Sequence, residues 1–185
     1  MITANEIIQD GHPLLRKVAA ELTIPLSLED IQLMKDMLEY VMNSQDEILA
    51  KKYNLKSGVG LAAVQLGIDK QIIAVHAEDE KDDLHSYVLA NPKMVSHSEQ
   101  LAYLPGGEGC LSVSRMVPGM VPRYRRITVQ GYDINGDLVT LRAKDYIAVI
   151  FQHEIDHLNG IMFFDRIDPK NPLMPIPGAH EITFE

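Results

Sequence analysis

The chain has 185 residues, 46% of them hydrophobic and 23% charged, which is the composition of a globular protein with enough apolar material for one core. Its 17 Lys and Arg residues against 26 Asp and Glu residues give a net charge of −9, which argues against general binding to nucleic acids or anionic membranes. No apolar stretch approaches the ~20 residues of a transmembrane helix, and the N-terminal residues lack the basic and apolar regions of a secretory signal. We therefore expect a single cytoplasmic domain over residues 1–185.

The first long element predicted along the chain is an amphipathic helix. Ser27 followed by Asp30 forms a weaker version of the capping box, which favours a helix start at this point. Apolar residues then recur at spacings of three and four, as one face of a helix requires: Leu28, Ile31, Met34, Leu38 and Val41.

The middle of the chain predicts antiparallel strands. Residues 71–75 and 87–90 are rich in β-branched or apolar side chains. Asn135-Gly136 is a strong hairpin signal and joins residues 127–133 to residues 138–141. A helical pattern returns over 143–159, with Gly160 where a helix would end, and a last strand is expected over 181–184. Strands combined with one late helix predict the α+β class.

A run of arginines is the local exception to the acidic balance. Arg123, Arg125 and Arg126 lie close together in the sequence, with Arg115 nearby. Charge runs usually form a solvated face, so we expect these side chains at a rim or on an exposed strand face.

The late helix contains the sequence H-E-x-x-H over residues 153–157. At about 100° per residue, His153 and His157 lie only about 40° apart on one helix face. Two imidazoles can thus hold one metal ion, while the carboxylate of Glu154 reaches a water on that ion. The flanking Ile150 and Phe151 direct this helix towards the core, which favours a metal site over surface histidines.

A site of this kind needs a third protein ligand. The metzincin pattern would require a histidine at position 163, which is Phe163, so that class is excluded. Cys110, 43 residues upstream of His153, is the only cysteine, cannot form an intramolecular disulfide, and is either a ligand or a small buried apolar residue. The downstream candidates are Asp165, Asp168, His180, Glu181 and Glu185.

A glycine-containing segment at residues 58–65 reads G-V-G-L-A-A-V-Q. Gly58, Gly60 and Ala63 fit the dinucleotide-binding pattern G-x-G-x-x-A. That pattern must follow a buried strand, and the preceding residues 50–57 are mostly polar, which excludes a dinucleotide site.

These three segments together resemble the peptide deformylase family. The family motifs G-x-G-L-A-A-x-Q, E-G-C-L-S and Q-H-E-x-D-H stand complete and in order at residues 58–65, 108–112 and 152–157. The resemblance covers nearly the whole chain. It implies an α+β fold with antiparallel sheets packed around a central metal-binding helix that carries HExxH. The insertion-like stretch at 43–57 and the strand-like C-terminus resemble the class typical of Gram-positive bacteria, which puts in doubt any ribosome docking through a C-terminal helix.

The resemblance also implies a ligand set and a metal. Cys110, His153 and His157 would bind the ion, and Glu154 would be the general acid and base. Ferrous iron is the implied native metal, with Zn²⁺, Ni²⁺ or Co²⁺ as replacements. Thiolate and imidazole ligands are compatible with both iron and zinc and do not decide between them.

The implied reaction removes the formyl group from the N-terminal formylmethionine of nascent polypeptides emerging from the ribosome and releases formate. A metal-bound water would attack the formyl carbon, and the Gln65 side chain and the Leu111 backbone N–H would bind the oxyanion. Gly60 would form a hydrogen bond with the substrate. We expect a monomer that binds no membrane and no specific nucleic acid.

Two other hypotheses fit part of the pattern. A zinc endopeptidase would use His153, His157 and Glu181 as ligands and leave Cys110 as a core residue. A non-enzymatic protein with a structural metal would need a fourth protein ligand to close the tetrahedral site.

Overall fold

The computed structural model describes residues 2–184. Within these residues the α-helices are α1 (Leu28–Ser44), α2 (Glu47–Tyr53) and α3 (Asp145–Leu158). The strands are β1 (Gly60–Ala62), β2 (Ile72–Glu78), β3 (Leu84–His97), β4 (Leu101–Tyr103), β5 (Arg123–Tyr124), β6 (Arg126–Tyr132), β7 (Leu138–Lys144) and β8 (His180–Glu181).

The strands form two sheets. The larger sheet has the order β1-β2-β3-β6-β7, and all of its neighbouring strands are antiparallel. The smaller sheet has the order β5-β4-β8, in which β4 and β8 run parallel. The predicted hairpin is confirmed, because Tyr132 pairs with Leu138 across the Asn135-Gly136 turn. The mixed α+β class predicted from the sequence is therefore confirmed.

Helix α1 begins where its capping residues predict. Ser27 accepts a hydrogen bond from the backbone N–H of Asp30, and the Asp30 carboxylate accepts one from the Ser27 backbone in return. Met34 and Val41 are fully buried, whereas Leu28, at the start of the predicted apolar face, is exposed. The buried face therefore begins one turn into the helix.

The larger sheet is covered on both faces, and the alternation along β2 shows how. Ile73 and Val75 belong to the apolar cluster on the α3 side, whereas Ile72 and Ala74 belong to the cluster on the α1 side. A strand buried on both faces is apolar without alternation. This explains why the sequence over residues 71–75 predicts a strand but not the side on which it packs.

Helix α3 is surrounded by protein on most of its circumference. It contacts β1, β2 and β7 of the larger sheet and β4 and β5 of the smaller one. A helix that is buried on nearly every side is positioned by its neighbours on both sheets. It ends before Gly160, whose φ of +71° favours glycine, and an added Cβ there would lie 2.7 Å from the backbone of Arg16.

One segment had no predicted element, and another differs from the sequence expectation. The insertion-like stretch contains α2, capped by the Asp46 side chain, which accepts from the backbone of Ile48 and Leu49. The C-terminal strand is limited to His180–Glu181 instead of extending over 181–184. No helix of residues 2–184 is both long and apolar enough to cross a membrane.

Candidate active site

Cys110 and the two histidines of the H-E-x-x-H segment converge in space. One potential ligand atom from each of Cys110, His153 and His157 lies within 4.8 Å of the others. The Sγ atom of Cys110 is 3.3 Å from Nε2 of His157. The histidines share one face of α3, and Cys110 comes from the long loop between β4 and β5. Helix geometry alone predicts from the sequence that the two histidines share a face. The position of Cys110 beside them depends on how the chain folds back.

The orientation of His153 is fixed by Glu108. The Nδ1 atom of His153 lies 2.8 Å from Oε2 of Glu108, so Nε2 is the ring nitrogen that remains for the Cys110 side of the cluster. Burial lowers the pKa of His153, but hydrogen bonding to Cys110 and Glu108 outweighs it, so the net shift is upward. Burial also lowers the pKa of His157, which favours its neutral, ligating form.

Glu108 is in turn held by Arg123. Both carboxylate oxygens accept from the guanidinium, each at 2.9 Å. Burial by itself raises the pKa of Glu108, but the hydrogen bonds and charge of Arg123 lower it to about 2. The same guanidinium donates to Asp156 at 2.5 Å, and Asp156 also accepts two hydrogen bonds from Arg166. Four charged residues thus form one continuous network behind His153.

The expectation that the arginine run lies at a solvated rim is wrong for Arg123. Its side chain is only 1% exposed, because it is enclosed with Glu108 and Asp156 beneath the metal-ligand cluster. Arg125 is partly exposed and pairs with Asp145, and Arg126 is exposed. Arg123 on β5 belongs to the smaller sheet and Arg126 on β6 to the larger one, so the two arginines have different surroundings.

Glu154 follows His153 on α3 and lines the same cleft. Its Oε2 atom is buried and accepts no hydrogen bond from any described residue. Burial is the main reason that the pKa of Glu154 is raised to about 7. The carboxylate packs so closely against Gly60 that a Cβ on that residue would lie 2.8 Å from Cδ of Glu154. A carboxyl group with a pKa near neutrality and a free oxygen can both accept and return a proton.

Gln65 links the glycine-containing segment to the cysteine loop. Its Oε1 atom accepts from the backbone N–H of Ala62 at 2.9 Å, which fixes the direction of the amide. The Nε2 group then points to Ser112 Oγ at 3.2 Å and to Cys110 Sγ at 3.5 Å. Gln65 is 1% exposed, so this side chain is an oriented donor at the edge of the cluster.

Leu111 is anchored through its backbone carbonyl. That oxygen accepts from Gln9 Nε2 at 3.3 Å and from Lys56 Nζ at 3.2 Å. The side chain is buried and packs against Gly58, where an added Cβ would meet it at 3.1 Å. Leu111, the residue that follows Cys110, is thus held through both its carbonyl and its side chain.

These residues line one open cleft of about 750 Å³. Its wall includes most of the predicted site residues and its rim includes Arg115 and Met116. The predicted residues that line it are Gly60, Gln65, Cys110, Leu111, His153 and Glu154. His157 lies beneath the wall and is fully buried. The structure therefore brings the predicted site residues together around one cavity.

Glu181, the third ligand of the endopeptidase hypothesis, is elsewhere. It lies on β8 and accepts a hydrogen bond from the Tyr103 hydroxyl at 2.9 Å. It does not belong to the group of potential metal ligands found among residues 2–184. That hypothesis is not favoured.

The donor set fits a divalent metal ion. One thiolate and two imidazoles provide three ligands and leave a further position free, as catalytic sites require. His157 Nε2 is directed at Cys110, and Glu108 holds His153 in the tautomer that leaves Nε2 available. Glu154, whose buried Oε2 has no hydrogen-bond partner among residues 2–184, lines the same cleft.

Comparison with known proteins decides the family. The model of the polypeptide deformylase family matches residues 4–172. The chain belongs to the polypeptide deformylase family. Its enzymes are hydrolases that act on nascent formylated peptides, and the present deformylase carries all three of the motifs quoted above.

Similar deformylases come from Gram-positive bacteria. A peptide deformylase of Listeria welshimeri is 59% identical over 172 residues, which are 93% of this chain and 94% of that protein. Peptide deformylase 2 of Bacillus anthracis is 54% identical over 179 residues, which are 97% of each chain. These relatives agree with the resemblance to the Gram-positive class.

Among solved structures, the class I type b peptide deformylase of Acinetobacter baumannii with Met-Ala-Ser bound is similar to this deformylase. The TM-score is 0.70 at 30% sequence identity, and the alignment covers 87% of this chain and 96% of that one. A second structure of that enzyme, with another ligand, gives a TM-score of 0.73 at 30% identity and covers 90% of this chain and 99% of that one. The two chains therefore share their fold over most of their length.

Glu108, Arg123 and Asp156 are the residues that sequence reasoning did not assign. Glu108 lies inside a recognised motif, so its position could have been noted. Nothing in the local pattern indicates that Arg123 reaches α3, because that contact joins residues 33 positions apart. Only the packing of the neighbouring elements shows which arginine of the run is buried.

Proposed function

We propose that this chain removes the formyl group from N-terminal formylmethionine of nascent polypeptides leaving the ribosome, in a single catalytic domain, and releases formate. The observation that carries the proposal is the three-ligand cluster of Cys110, His153 and His157, with the buried carboxylate of Glu154 beside it in an open cleft. Three ligands and one adjacent base suit hydrolysis of an amide, whereas a purely structural ion would require a fourth protein ligand.

Cys110, His153 and His157 would hold one divalent ion on the HExxH helix. Ferrous iron is the proposed native ion, and Zn²⁺, Ni²⁺ or Co²⁺ can replace it. When bound, such an ion supplies Lewis acidity and lowers the pKa of a coordinated water towards ~7. The negative thiolate of Cys110 and the hydrogen bond from His153 to Glu108 supply electron density to the site.

Glu154 accepts the proton of the attacking water and later delivers it to the leaving nitrogen. Its pKa of about 7 suits both transfers near neutral pH. The absence of a hydrogen-bond partner on Oε2 within the described residues leaves this atom free for the water. The carboxylate occupies the space that a side chain at Gly60 would fill.

Gln65 and Leu111 stabilise the oxyanion that forms on the formyl oxygen. The Gln65 amide is oriented before substrate arrives, because its oxygen is bound to Ala62 and its nitrogen faces Cys110. The Leu111 N–H adjoins the cysteine, and its carbonyl is held by Gln9 and Lys56. Donors that are fixed in advance contribute most to rate, and losing one typically costs ~10²–10³.

The substrate backbone lies along β1. This strand is at the edge of the larger sheet, so one side of it is free to pair with an extended peptide. Gly60 lies on that strand and lines the cleft, which supports its role as a hydrogen-bonding position for the substrate. The Acinetobacter relative binds Met-Ala-Ser, the deformylated form of the tripeptide expected here.

The test compares two tripeptides that differ by one methyl group. We expect fast release of formate from formyl-Met-Ala-Ser and little hydrolysis of acetyl-Met-Ala-Ser, because the added methyl crowds the reacting carbon, where small misplacement can cost ~10² in rate. The Met-Ala and Ala-Ser bonds should stay intact. Cleavage of an internal peptide bond without formate would favour the endopeptidase instead.

A further inference from the structure

A second groove lies on the outer face of the larger sheet, away from the catalytic cleft. It is shallow, has a volume of about 360 Å³, and shares no lining residue with that cleft. Among residues 2–184, its lining contains three cations and no carboxylate, although the chain has 26 acidic residues and a net charge of −9. The charged and polar lining residues are Ser96, His97, Ser98, Arg126, Thr128, Arg142 and Lys144.

The strand register places the cations side by side. Arg126 on β6 is directly opposite Lys144 on β7, and Thr128 is opposite Arg142. Arg142 and Lys144 are two residues apart on one strand, about 6.8 Å along it, and point to the same face. Like charges directly opposite each other destabilise a sheet, so this arrangement is unfavourable until an anion lies between them.

The described residues do little to neutralise this charge. Neither Arg126 nor Arg142 forms an ion pair with another residue of 2–184, and both side chains are exposed. Lys144 lies 3.4 Å from Asp145, but that carboxylate already accepts a hydrogen bond from Arg125 at 2.7 Å. The groove therefore keeps a local positive charge within an acidic protein.

We propose that this groove binds the phosphodiester backbone of RNA, without reading its sequence. Cations on two adjacent strands and at two positions along β7 can contact more than one phosphate, and the hydroxyls of Ser96 and Thr128 add hydrogen-bond donors. The choice of RNA as the partner rests on the proposed function, because a nascent peptide is still carried by the RNA of the translating ribosome.

An anionic membrane fits this groove less well. Peripheral membrane segments insert exposed apolar side chains next to their cations. The apolar residues that line the groove, Ile127 and Ala143, are buried beneath it at 3% and 7% exposure. The surface thus offers charge and hydrogen bonds without an apolar anchor.

The experiment measures binding of a fluorescently labelled single-stranded 20-nucleotide RNA by anisotropy, using the full-length metal-loaded protein. Contacts from three cations predict a salt slope of about −2, so affinity should fall roughly 20-fold between 50 and 200 mM KCl. The double variant Arg126→Gln/Arg142→Gln should bind RNA roughly tenfold more weakly at 50 mM KCl. The slope of its log affinity against log salt concentration should be smaller than about 1 in magnitude.

The control variant Lys35→Gln/Lys51→Gln removes the same charge from exposed positions of α1 and α2 and should bind RNA like the parent protein. Equal weakening of both variants would show that only net charge matters and would overturn the proposal. Preferential binding to phosphatidylglycerol vesicles, or displacement of RNA by millimolar inorganic phosphate, would also overturn it.

Two readouts separate RNA binding from folding and from catalysis. The urea midpoint of the glutamine variant should be no lower than that of the parent, because opposed like charges have been removed. If the midpoint falls, the variant Arg126→Lys/Arg142→Lys provides a second test because it keeps the charge. It should retain RNA binding, and loss of binding in this variant would contradict the proposal. Formate release from free formyl-Met-Ala-Ser should be unchanged in both groove variants, so failure of either proposal is recognised independently.

Discussion

The Oε2 atom of Glu108 lies 2.8 Å from Nδ1 of His153, and this contact joins the cysteine motif to the histidine motif. It selects the ring nitrogen of His153 that remains free next to Cys110. Outer hydrogen-bond partners of metal ligands typically affect metal affinity by about 10–100-fold. Glu108 is therefore a positioning residue, and it depends on Arg123 for its own charge balance.

Replacing Glu108 by glutamine should destabilise the protein by about 3–5 kcal/mol, because one partner of a buried ion pair is then left with too little opposite charge. Urea unfolding of the metal-free protein measures this change. A chelator competition with zinc should show about 10–100-fold weaker binding in the same variant.

A double-mutant cycle provides the control. Glu108→Gln combined with Arg123→Met removes both charges, so the double variant should be less destabilised than the sum of the single variants. Asp156 still retains Arg166 as its partner. If the single effects simply add, the two residues are energetically independent and this description of the network is wrong.

The stability contributed by Glu108 should depend on pH. Its pKa is lowered from an ordinary value of 4.5 to about 2, chiefly by the hydrogen bonds and charge of Arg123, which outweigh the opposite effect of burial. A lowered carboxylate pKa stabilises the fold above the ordinary value, and that stabilisation is lost as the pH falls towards about 2. The difference in urea midpoint between the metal-free parent and Glu108→Gln should thus shrink between pH 4.5 and 2. A constant difference would contradict the ion-pair explanation.

Cys110→Ala should lose most of its bound metal and nearly all activity, since two histidines alone hold the ion weakly. Metal content by elemental analysis and formate release measure the two effects. Because Cys110 is the only thiol of the chain, its alkylation in the parent provides a direct check. Metal-loaded parent protein should react slowly and metal-stripped protein quickly. One full equivalent of metal in the alanine variant would disprove the ligand assignment.

Glu154→Gln should retain the metal and lose turnover by at least about 10²-fold, because the amide occupies the same space but accepts no proton. A raised carboxyl pKa means that the fold loses stability as the pH rises through about 7 and the buried group ionises. The unfolded chain has the ordinary carboxyl pKa of 4.5, so this loss begins near pH 4.5 and is complete slightly above pH 7. Metal-free Glu154→Gln should therefore be as stable as the parent below about pH 4.5 and more stable above about pH 7. Loss of both metal and fold would indicate a structural role instead.

Gly60→Ala tests the contact between β1 and the general base. The new methyl would overlap the Glu154 carboxylate, with a separation of 2.8 Å from Cδ, so the side chain must move and turnover should fall by about 10²-fold. Gly106→Ala is the matched control, because it lines the same cleft and its Cβ has no heavy atom within 4 Å. Equal activities in the two variants would show that the position of Glu154 tolerates displacement.

The sequence by itself determined the local parts of this protein. The Ser27 cap, the Asn135-Gly136 turn and the four-residue spacing of His153 and His157 each depend on a few neighbouring residues, and each has the expected structure. The three motifs also indicated the family, because their residue types and order are specific even without a structure. These features can be predicted from the sequence because the interactions that produce them join residues only a few positions apart.

Only the tertiary structure decided which distant residues meet. Periodicity could not place Cys110 beside the two histidines, nor Glu154 beside Gly60. Each of these contacts joins segments that are tens of residues apart. Arg123 had the same local appearance as Arg126, yet Arg123 is buried against α3 whereas Arg126, on a strand of the other sheet, is exposed. The physical reason is that burial depends on what packs against a strand, and a strand's own sequence gives its alternation but does not identify its neighbours.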